Sequence, residues 1–358
     1  MRRSSIPPEL GRIFTSAAAR DAGVAASRLR ARDLDSPFHG VRAIPLPDKA
    51  DSVELHVEEL ARRYAARMAE HEFFSHLTAA TIWRLPLPPG SLDPNVVHVS
   101  VVAPRRAPRA RGVVRHQARA ASTTVCEHPD SGLRVSSPAS TWASVAAILV
   151  HPYDVVAVAD AVARVPRMPG GFSRAPASPL GTIAELHDAA NSGRRVGGAA
   201  LRAALPLVRT GASSRPETWT RLTLVAAGLP EPELDHDVFD SHGTFLACVD
   251  MAYPALRVAI EYEGDHHRSD PAQWAKDVDR IDRLAERGWR VIRVTPRLLF
   301  RHPEELVGGC ARPATQRGSP RRRRRPGQRA SRPLESRAFV LPFRCHKTWV
   351  RRRRTRIL

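Results

Sequence analysis

The chain has 358 residues, which is long enough for two or three domains of ordinary size, each with its own apolar core. Its net charge of +20 is concentrated at one end, because residues 311–358 hold 17 Lys and Arg against one acid, a net +16 that leaves +4 for residues 1–310. The total charge is therefore no evidence that residues 1–310 bind nucleic acid. The four cysteines form no C-x-x-C pair, which excludes a zinc knuckle and a disulfide framework.

The sequence carries no membrane signal. Its first ten residues lack the apolar stretch of a signal peptide, and the longest apolar run, 143–150, is far shorter than the roughly 20 residues that a bilayer requires. We therefore expect a cytoplasmic protein with no membrane partner.

Residues 1–50 have a pattern typical of a helix-turn-helix or winged-helix region. An Ala-rich helix leads to Gly23, and a second expected helix carries Arg28 and Arg30. The segment Phe38–Ile44 would follow as a strand or wing. Arg28 and Arg30 are then candidate DNA contacts. A plain helical hairpin with solvated arginines explains the same pattern.

Residues 51–164 are expected to form an α+β region. Apolar residues recur at three and four positions from Val53 to Met68, as one helix face requires. The run VVHVSVV at 96–102 alternates like a half-buried strand, and Val113–Gln117 is its expected partner across a hairpin tip.

The Pro-, Gly- and Ser-rich segment 165–179 is the expected linker to a last domain at 180–310. Helix-like segments there precede strand-length apolar runs at 245–252 and 257–262, and a helix-length segment leads into a third run at 289–294. This order predicts a small mixed sheet flanked by helices, and an α/β (α+β) fold overall.

Acidic residues lie within or at the ends of these apolar strands. Asp250 ends the first strand, and Glu261 and Glu263 lie in the second. Strand residues two positions apart point to the same face of the sheet and are about 6.6 Å from each other. Carboxylates in an apolar strand are costly unless a cation or protons neutralise them. A hard divalent cation, Mg²⁺ or Mn²⁺, fits oxygen ligands of this kind, lowers the pKa of bound water and stabilises charge on a phosphate. A solvated edge-strand face is the alternative for the Glu261 and Glu263 pair.

The stretch VDMAYPALRVAIEYEGDHHR at 249–268, together with DVDRIDRLAERGWRVIRVT at 277–295, resembles the PD-(D/E)xK nuclease superfamily. It resembles in particular the branch of very-short-patch mismatch-repair endonucleases. The chain is similar to an uncharacterised actinobacterial family in which such a domain follows a region resembling abortive-infection antitoxins. The resemblance is specific over 213–305 and loose over 12–210. It implies a restriction-endonuclease-like sheet.

The resemblance also implies roles for individual residues. Asp250 and Glu261 would be the metal-binding carboxylates. Glu263 stands where the wider superfamily has its lysine, which is a departure from the motif. His267 matches a position thought to activate water, and Glu217 matches an acid on an upstream helix.

Glu217 and two arginines have alternative explanations or further roles. Glu217 is alternatively an acid that satisfies the dipole of its own helix. Arg268 and Arg280 are candidate phosphate contacts. Arg280 alternatively braces the carboxylates or forms a surface pair with Asp277 on the same helix face.

Residues 311–358 contain RRRRR at 321–325 and RRRR at 351–354, a composition that does not bury a core. We expect a disordered basic tail. It is either an arm that adds non-specific DNA affinity or the product of a frameshift in a GC-rich gene.

These features predict a metal-dependent DNA endonuclease that hydrolyses phosphodiester bonds, with DNA as partner and Mg²⁺ or Mn²⁺ as cofactor. An alternative is an inactive nuclease fold that acts as a DNA-binding regulator or an antitoxin-like protein. A third is an interaction protein whose C-terminal domain binds a toxin partner.

Overall fold

The structure is a computed structural model that describes residues 5–45, 52–171, 178–264 and 271–312, with backbone alone over 271–278. His267, Arg268 and residues 313–358 of the basic tail therefore lie outside the described residues. The described chain is a mixed α/β structure, as the sequence predicts, and its strands form three sheets. Within those ranges, none of the helices has the length and hydropathy needed to cross a membrane.

The N-terminal segment contains a strand pair and one short helix. Strands β1 (Ile13–Thr15) and β2 (Val41–Ala43) are antiparallel, with helix α1 (Ser16–Asp21) between them along the chain. Strand β2 confirms the strand expected within 38–44. The expected second helix is wrong, because Arg28–Arg30 forms only a 3-10 turn. One reason is that the Leu29 carbonyl, which would accept a helical hydrogen bond, accepts one from Arg42 Nε at 2.6 Å.

The next region is built on a five-stranded sheet in the order β5-β4-β3-β7-β6. Its strands are β3 (Glu72–Phe74), β4 (Val97–Val102), β5 (Val113–Ala118), β6 (Val125–Glu127) and β7 (Arg134–Ser136). The accompanying helices are α2 (Val53–Ala65), α3 (His76–Ile82), α4 (Pro138–Val145) and α5 (Pro152–Ala163).

The sequence correctly predicts that β4 and β5 are paired, but the relative direction of the two strands differs from the prediction. The two strands are parallel, with Val97 opposite Val113, so the segment between them is a return crossover and the expected hairpin tip is wrong. Alternation of apolar residues is the same in parallel and antiparallel strands, so it does not report direction. The returning segment is held by a 2.8 Å hydrogen bond from Gln117 Nε2 to the Arg105 carbonyl.

Two helices after the expected linker belong to this first core. Helices α6 (Ile183–Asn191) and α7 (Gly198–Ala204) bury Leu186 and Leu201 in the same apolar cluster as Trp142. The change from one core to the next therefore lies further along the chain than the 165–179 segment.

The last part of the chain contains a four-stranded sheet in the order β11-β10-β9-β8. Its elements are α8 (Arg215–Ala226), β8 (Glu233–Phe239), β9 (Phe245–Tyr253), β10 (Val258–Tyr262), α9 (Pro271–Glu286), β11 (Arg290–Val294), α10 (Pro296–Arg301) and α11 (Pro303–Cys310). Strands β8, β9 and β10 are antiparallel neighbours, and β11 joins β10 in parallel after the α9 crossover.

Helices cover both faces of this sheet. Ile260 of β10 packs in a cluster with Leu224 of α8, whereas its neighbour Ala259 packs in a second cluster with Leu284 of α9. Because successive strand residues point to opposite faces, α8 and α9 lie on opposite sides of the sheet.

Candidate acidic site at the end of the C-terminal sheet

Asp250 lies where the ladder between β9 and β10 ends. Its Oδ2 accepts a 2.8 Å hydrogen bond from the backbone N–H of Tyr262. The next N–H, of Glu263, bonds to the Val294 carbonyl on β11, so the Tyr262 N–H is directed toward β9. The carboxylate of Asp250 thus takes the place of a main-chain acceptor between the two strands.

Glu217 is at the first turn of α8 and is buried. Its carboxylate accepts hydrogen bonds from the Ser213 N–H at 2.7 Å and from the Ser214 hydroxyl at 2.8 Å. These bonds agree with its role as a helix-capping acid.

Glu217 also interacts with the sheet. Burial, and next the negative charge of Asp250, raise the pKa of Glu217 to about 7. The two carboxylates therefore share a poorly solvated neighbourhood, in which a cation or a proton is favoured over two separate charges.

Glu261 is on the α9 side of β10 and is 8% exposed. Its Oε2 accepts a 2.7 Å hydrogen bond from Arg280 Nη2, and Nη1 of the same guanidinium donates to the Cys248 carbonyl at 3.2 Å. Arg280 therefore braces the carboxylate against the neighbouring strand, which is one of the roles expected for it.

Glu263, at the position where the resemblance implies a lysine, forms an ion pair with Arg293 of β11. Both side chains are partly exposed, and such pairs contribute little to stability. The positive charge at this end of the sheet therefore comes from arginines on neighbouring elements.

A second acidic group, which the sequence reasoning missed, binds the expected linker to the sheet. Arg167 donates from Nε to Asp235 at 2.7 Å and from Nη1 to Asp237 at 2.8 Å. The Gly170 N–H also donates to Asp237, at 3.0 Å. The hydrogen bond from Arg167 holds the pKa of Asp237 below its usual range. The first part of the 165–179 segment is thus attached to β8.

Cys248 lies beside this group. Burial, and next its hydrogen bond to Asp235, raise the pKa of the thiol. Cys248 is therefore a protonated thiol at neutral pH and not a nucleophile.

The predicted N-terminal DNA contacts differ from one another. Arg28 is committed to Asp33 through hydrogen bonds of 3.0 and 2.9 Å, whereas Arg30 is exposed.

Among the described residues, the carboxylates of the C-terminal strands do not form a set of three potential metal ligands. Within the described ranges, two sets of three residues have ligand atoms all within 4.8 Å of one another, and neither set lies among the C-terminal strands. They are His76, His98 and His116, and the group His302, Glu304 and Glu305. Glu217 is coupled electrostatically to Asp250, and Glu261 is paired with Arg280.

Comparisons with known proteins give relatives but no assigned activity. The chain is similar to two uncharacterised proteins of Mycobacterium tuberculosis, MT2308 from strain CDC 1551 / Oshkosh and Rv2248 from strain ATCC 25618 / H37Rv. Each is 36% identical over 120 residues, which cover 34% of this chain and 44% of the relative. No family model matches the chain. No solved structure matches it either.

Proposed function

We propose that residues 213–305 form a metal-dependent nuclease domain of the PD-(D/E)xK class that hydrolyses DNA phosphodiester bonds. The observation that carries this proposal is the position of Asp250, which lies at the end of the β9–β10 ladder and raises the pKa of the buried Glu217. Glu261 follows on the adjacent strand. Acidic residues held in this way are suited to a cation and a phosphate ester.

The topology supports the same proposal. A helix, three antiparallel strands, a crossover helix and a parallel strand make the mixed sheet with helices on both faces that the resemblance implies. The chain reversal between β9 and β10 places Asp250 and Glu261 on neighbouring strands although they are eleven positions apart in sequence.

Carboxylate oxygens are the ligands that a hard divalent cation prefers. Asp250 and Glu261 would hold Mg²⁺ or Mn²⁺, with water in the remaining positions, whereas Glu217 is not a third ligand of the same ion. Such an ion supplies a bound water of lowered pKa and stabilises charge on the phosphate. Arg280 keeps the Glu261 carboxylate beside β9, and Glu217 is able to hold or release a proton near pH 7.

The test uses the full-length chain with supercoiled, linear and single-stranded DNA in the presence of Mg²⁺ or Mn²⁺. We expect cleavage by the wild type, loss of cleavage in Asp250→Asn and Glu261→Gln, and nearly unchanged DNA affinity in both. The exposed Glu286→Gln on α9 is the matched control and should cleave normally. Wild-type protein that neither cleaves these DNAs nor binds either ion in calorimetry would rule out the nuclease.

A second candidate is a nuclease fold that binds DNA without cleaving it. The pairing of Glu261 with Arg280 and of Glu263 with Arg293 favours it, since arginines then supply the neutralising charge. In this case the wild type binds DNA equally well with EDTA and with Mg²⁺, and calorimetry detects no ion at Asp250.

A further inference from the structure

Three histidines meet on one face of the five-stranded sheet. His76 is the first residue of α3, His98 lies in β4, and His116 lies in β5. The strand register pairs Ser100 with His116, which directs both side chains to the same face. Val99, between His98 and Ser100, is fully buried in the first core. The histidines therefore occupy the face directed away from that core.

The ring nitrogens lie close together. Nδ1 of His98 is 3.0 Å from Nε2 of His116, and the His76 and His116 rings stack with centroids 3.6 Å apart and planes 17° apart. One ligand nitrogen from each ring lies within 4.8 Å of the other two. Two ring nitrogens in hydrogen-bond contact share a single proton, so at least one of the facing nitrogens presents a lone pair.

A serine pair orients the third ring. Ser75 is the N-cap residue of α3, yet its hydroxyl makes no capping bond. It lies instead 2.9 Å from Nδ1 of His76 and accepts a 2.7 Å hydrogen bond from the Ser100 hydroxyl. With Nδ1 of His76 engaged in this way, Nε2 is the nitrogen directed to a ligand. Hydrogen bonds of this kind commonly hold metal-binding histidines in place.

We propose that His76, His98 and His116 form a binding site for a divalent transition metal of the zinc type, with water or an external ligand in the fourth position. Imidazole nitrogens suit zinc, copper and nickel, whereas Mg²⁺ prefers oxygen ligands. Three histidines with one open position are a common zinc arrangement. This site is distinct from the carboxylates of the C-terminal sheet in both residues and ligand chemistry.

The distances require only a small adjustment. Zinc–nitrogen bonds of about 2.0–2.1 Å in a tetrahedral site put neighbouring ligand nitrogens about 3.3 Å apart. The separation between His98 and His116 is 3.0 Å, so these rings already have nearly the spacing that a metal needs. The His76 and His116 rings are almost parallel, so metal binding requires the His116 ring to turn about its Cβ–Cγ bond, which leaves the contact between Ser75 and His76 in place.

The surroundings of the rings agree with a metal ligand set. Burial lowers the pKa of His76 to about 3 and that of His98 to about 4, and it also lowers the pKa of His116. Neutral imidazole is the form that binds metals, whereas an anion-binding site needs charged rings. Strand β5 is at the edge of the sheet, which gives an ion a route from solvent.

The test is titration of the full-length chain with Zn²⁺ in calorimetry and with Co²⁺ in visible spectroscopy. We expect one tight ion per chain, tetrahedral Co²⁺ bands, and three nitrogen neighbours at about 2.0–2.1 Å in X-ray absorption. His98→Gln and His116→Gln should weaken Zn²⁺ binding at least about 100-fold, and Ser75→Ala about 10–100-fold. His128→Gln, a half-buried histidine of the same region, is the control and should bind normally.

Two further measurements separate this site from folding defects and from the nuclease. Asp250→Asn should bind Zn²⁺ as the wild type does, even if it loses the proposed DNA cleavage. Diethyl pyrocarbonate labelling of the wild type should modify the three histidines more slowly when Zn²⁺ is present. Equal labelling with and without Zn²⁺, no Zn²⁺ or Co²⁺ binding by the wild type, or unchanged affinity in folded His98→Gln and His116→Gln would each overturn the proposal.

Discussion

Nη2 of Arg280 lies 2.7 Å from Oε2 of Glu261, and the same guanidinium reaches the main-chain carbonyl of Cys248. One side chain of α9 is thus attached to two adjacent strands, β9 and β10. The ion pair is mostly shielded from solvent, since the Glu261 side chain is 10% and the Arg280 side chain 31% exposed. The ion pair between Arg280 and Glu261 should therefore contribute to the stability of the fold.

Arg280→Met should lower the free energy of unfolding by about 1–3 kcal/mol, because it leaves a mostly buried carboxylate without its charged donor. Urea denaturation measures the change. The neighbouring Arg283→Met, at an exposed position of α9, should alter stability by less than about 0.5 kcal/mol. Equal effects of the two substitutions would contradict a special role for the Glu261 contact.

Glu217 should make stability depend on pH. Its pKa is about 7 in the folded chain against an ordinary value of 4.5. Between these values the folded state holds more protons than the unfolded state, so the free energy of unfolding falls as pH rises from 4.5 to 7. The fall is at most about 3 kcal/mol for a shift of this size.

Glu217→Gln should reduce this fall, and the measurement is urea denaturation at pH 5 and pH 7. The exposed Glu286→Gln should leave the pH dependence as it is in the wild type. An identical pH profile for Glu217→Gln and wild type would show that Glu217 titrates normally.

The salt bridge between α5 and α8 should be the most sensitive of the charged contacts. Arg221 and Asp160 have side chains that are 0% and 1% exposed, and their closest atoms are 3.1 Å apart. Arg221→Met removes one partner and leaves a buried carboxylate, which should cost about 3–5 kcal/mol.

Thermal and urea unfolding test this expectation. Adding Asp160→Asn to Arg221→Met should recover part of the loss, because the buried charge is then removed as well. The exposed Arg202→Ala on α7 is the comparison and should be nearly neutral. A loss below about 1 kcal/mol for Arg221→Met would be inconsistent with an uncompensated buried charge.

The attachment of Arg167 to β8 should depend on the shape of the guanidinium. Arg167→Lys keeps the charge, but an ammonium group lacks the planar fork that binds Asp235 and Asp237 together. We expect Arg167→Lys to lose most of the stability that Arg167→Ala loses. Urea midpoints of the two variants provide the comparison, and full rescue by lysine would mean that charge alone matters.

A chain that ends at residue 312 should fold as the full chain does. Residues 313–358 carry most of the net charge and lack apolar periodicity, while the apolar cluster of α11 ends at Cys310. The melting temperature should be unchanged. If the tail binds DNA, its removal should flatten the salt dependence of affinity, by about 0.9 in log–log slope for each phosphate that the tail neutralises.

The sequence predicts the elements with strong apolar patterns. The strands at 245–253 and 258–262 follow from runs of apolar residues, and the helix at 53–65 follows from apolar residues three and four positions apart. It does not predict β8, since ELDHDVF carries three acids in seven residues. The acids are tolerated because Arg167, which is distant in sequence, neutralises two of them.

The residues of the candidate sites are likewise predictable from the sequence only in part. Asp250 and Glu261 are recognisable because they interrupt apolar strands. The resemblance points to Glu217 and helix spacing points to Arg280, but only the tertiary arrangement shows which carboxylate each of them meets. The histidine cluster had a weaker signal. His98 occupies a polar position of an alternating strand, and only the parallel register of β4 with β5 brings His116 beside it.

Helix α8 belongs to both halves of the molecule. Leu222 packs in the first core, whereas Leu224, two residues later, packs in the core of the C-terminal sheet. A proteolytic cut on either side of this helix would therefore strip one core of its apolar cover and expose that surface to water. We expect the half that loses α8 not to be recovered as a folded fragment, and the two cores of the intact chain to melt in one cooperative transition.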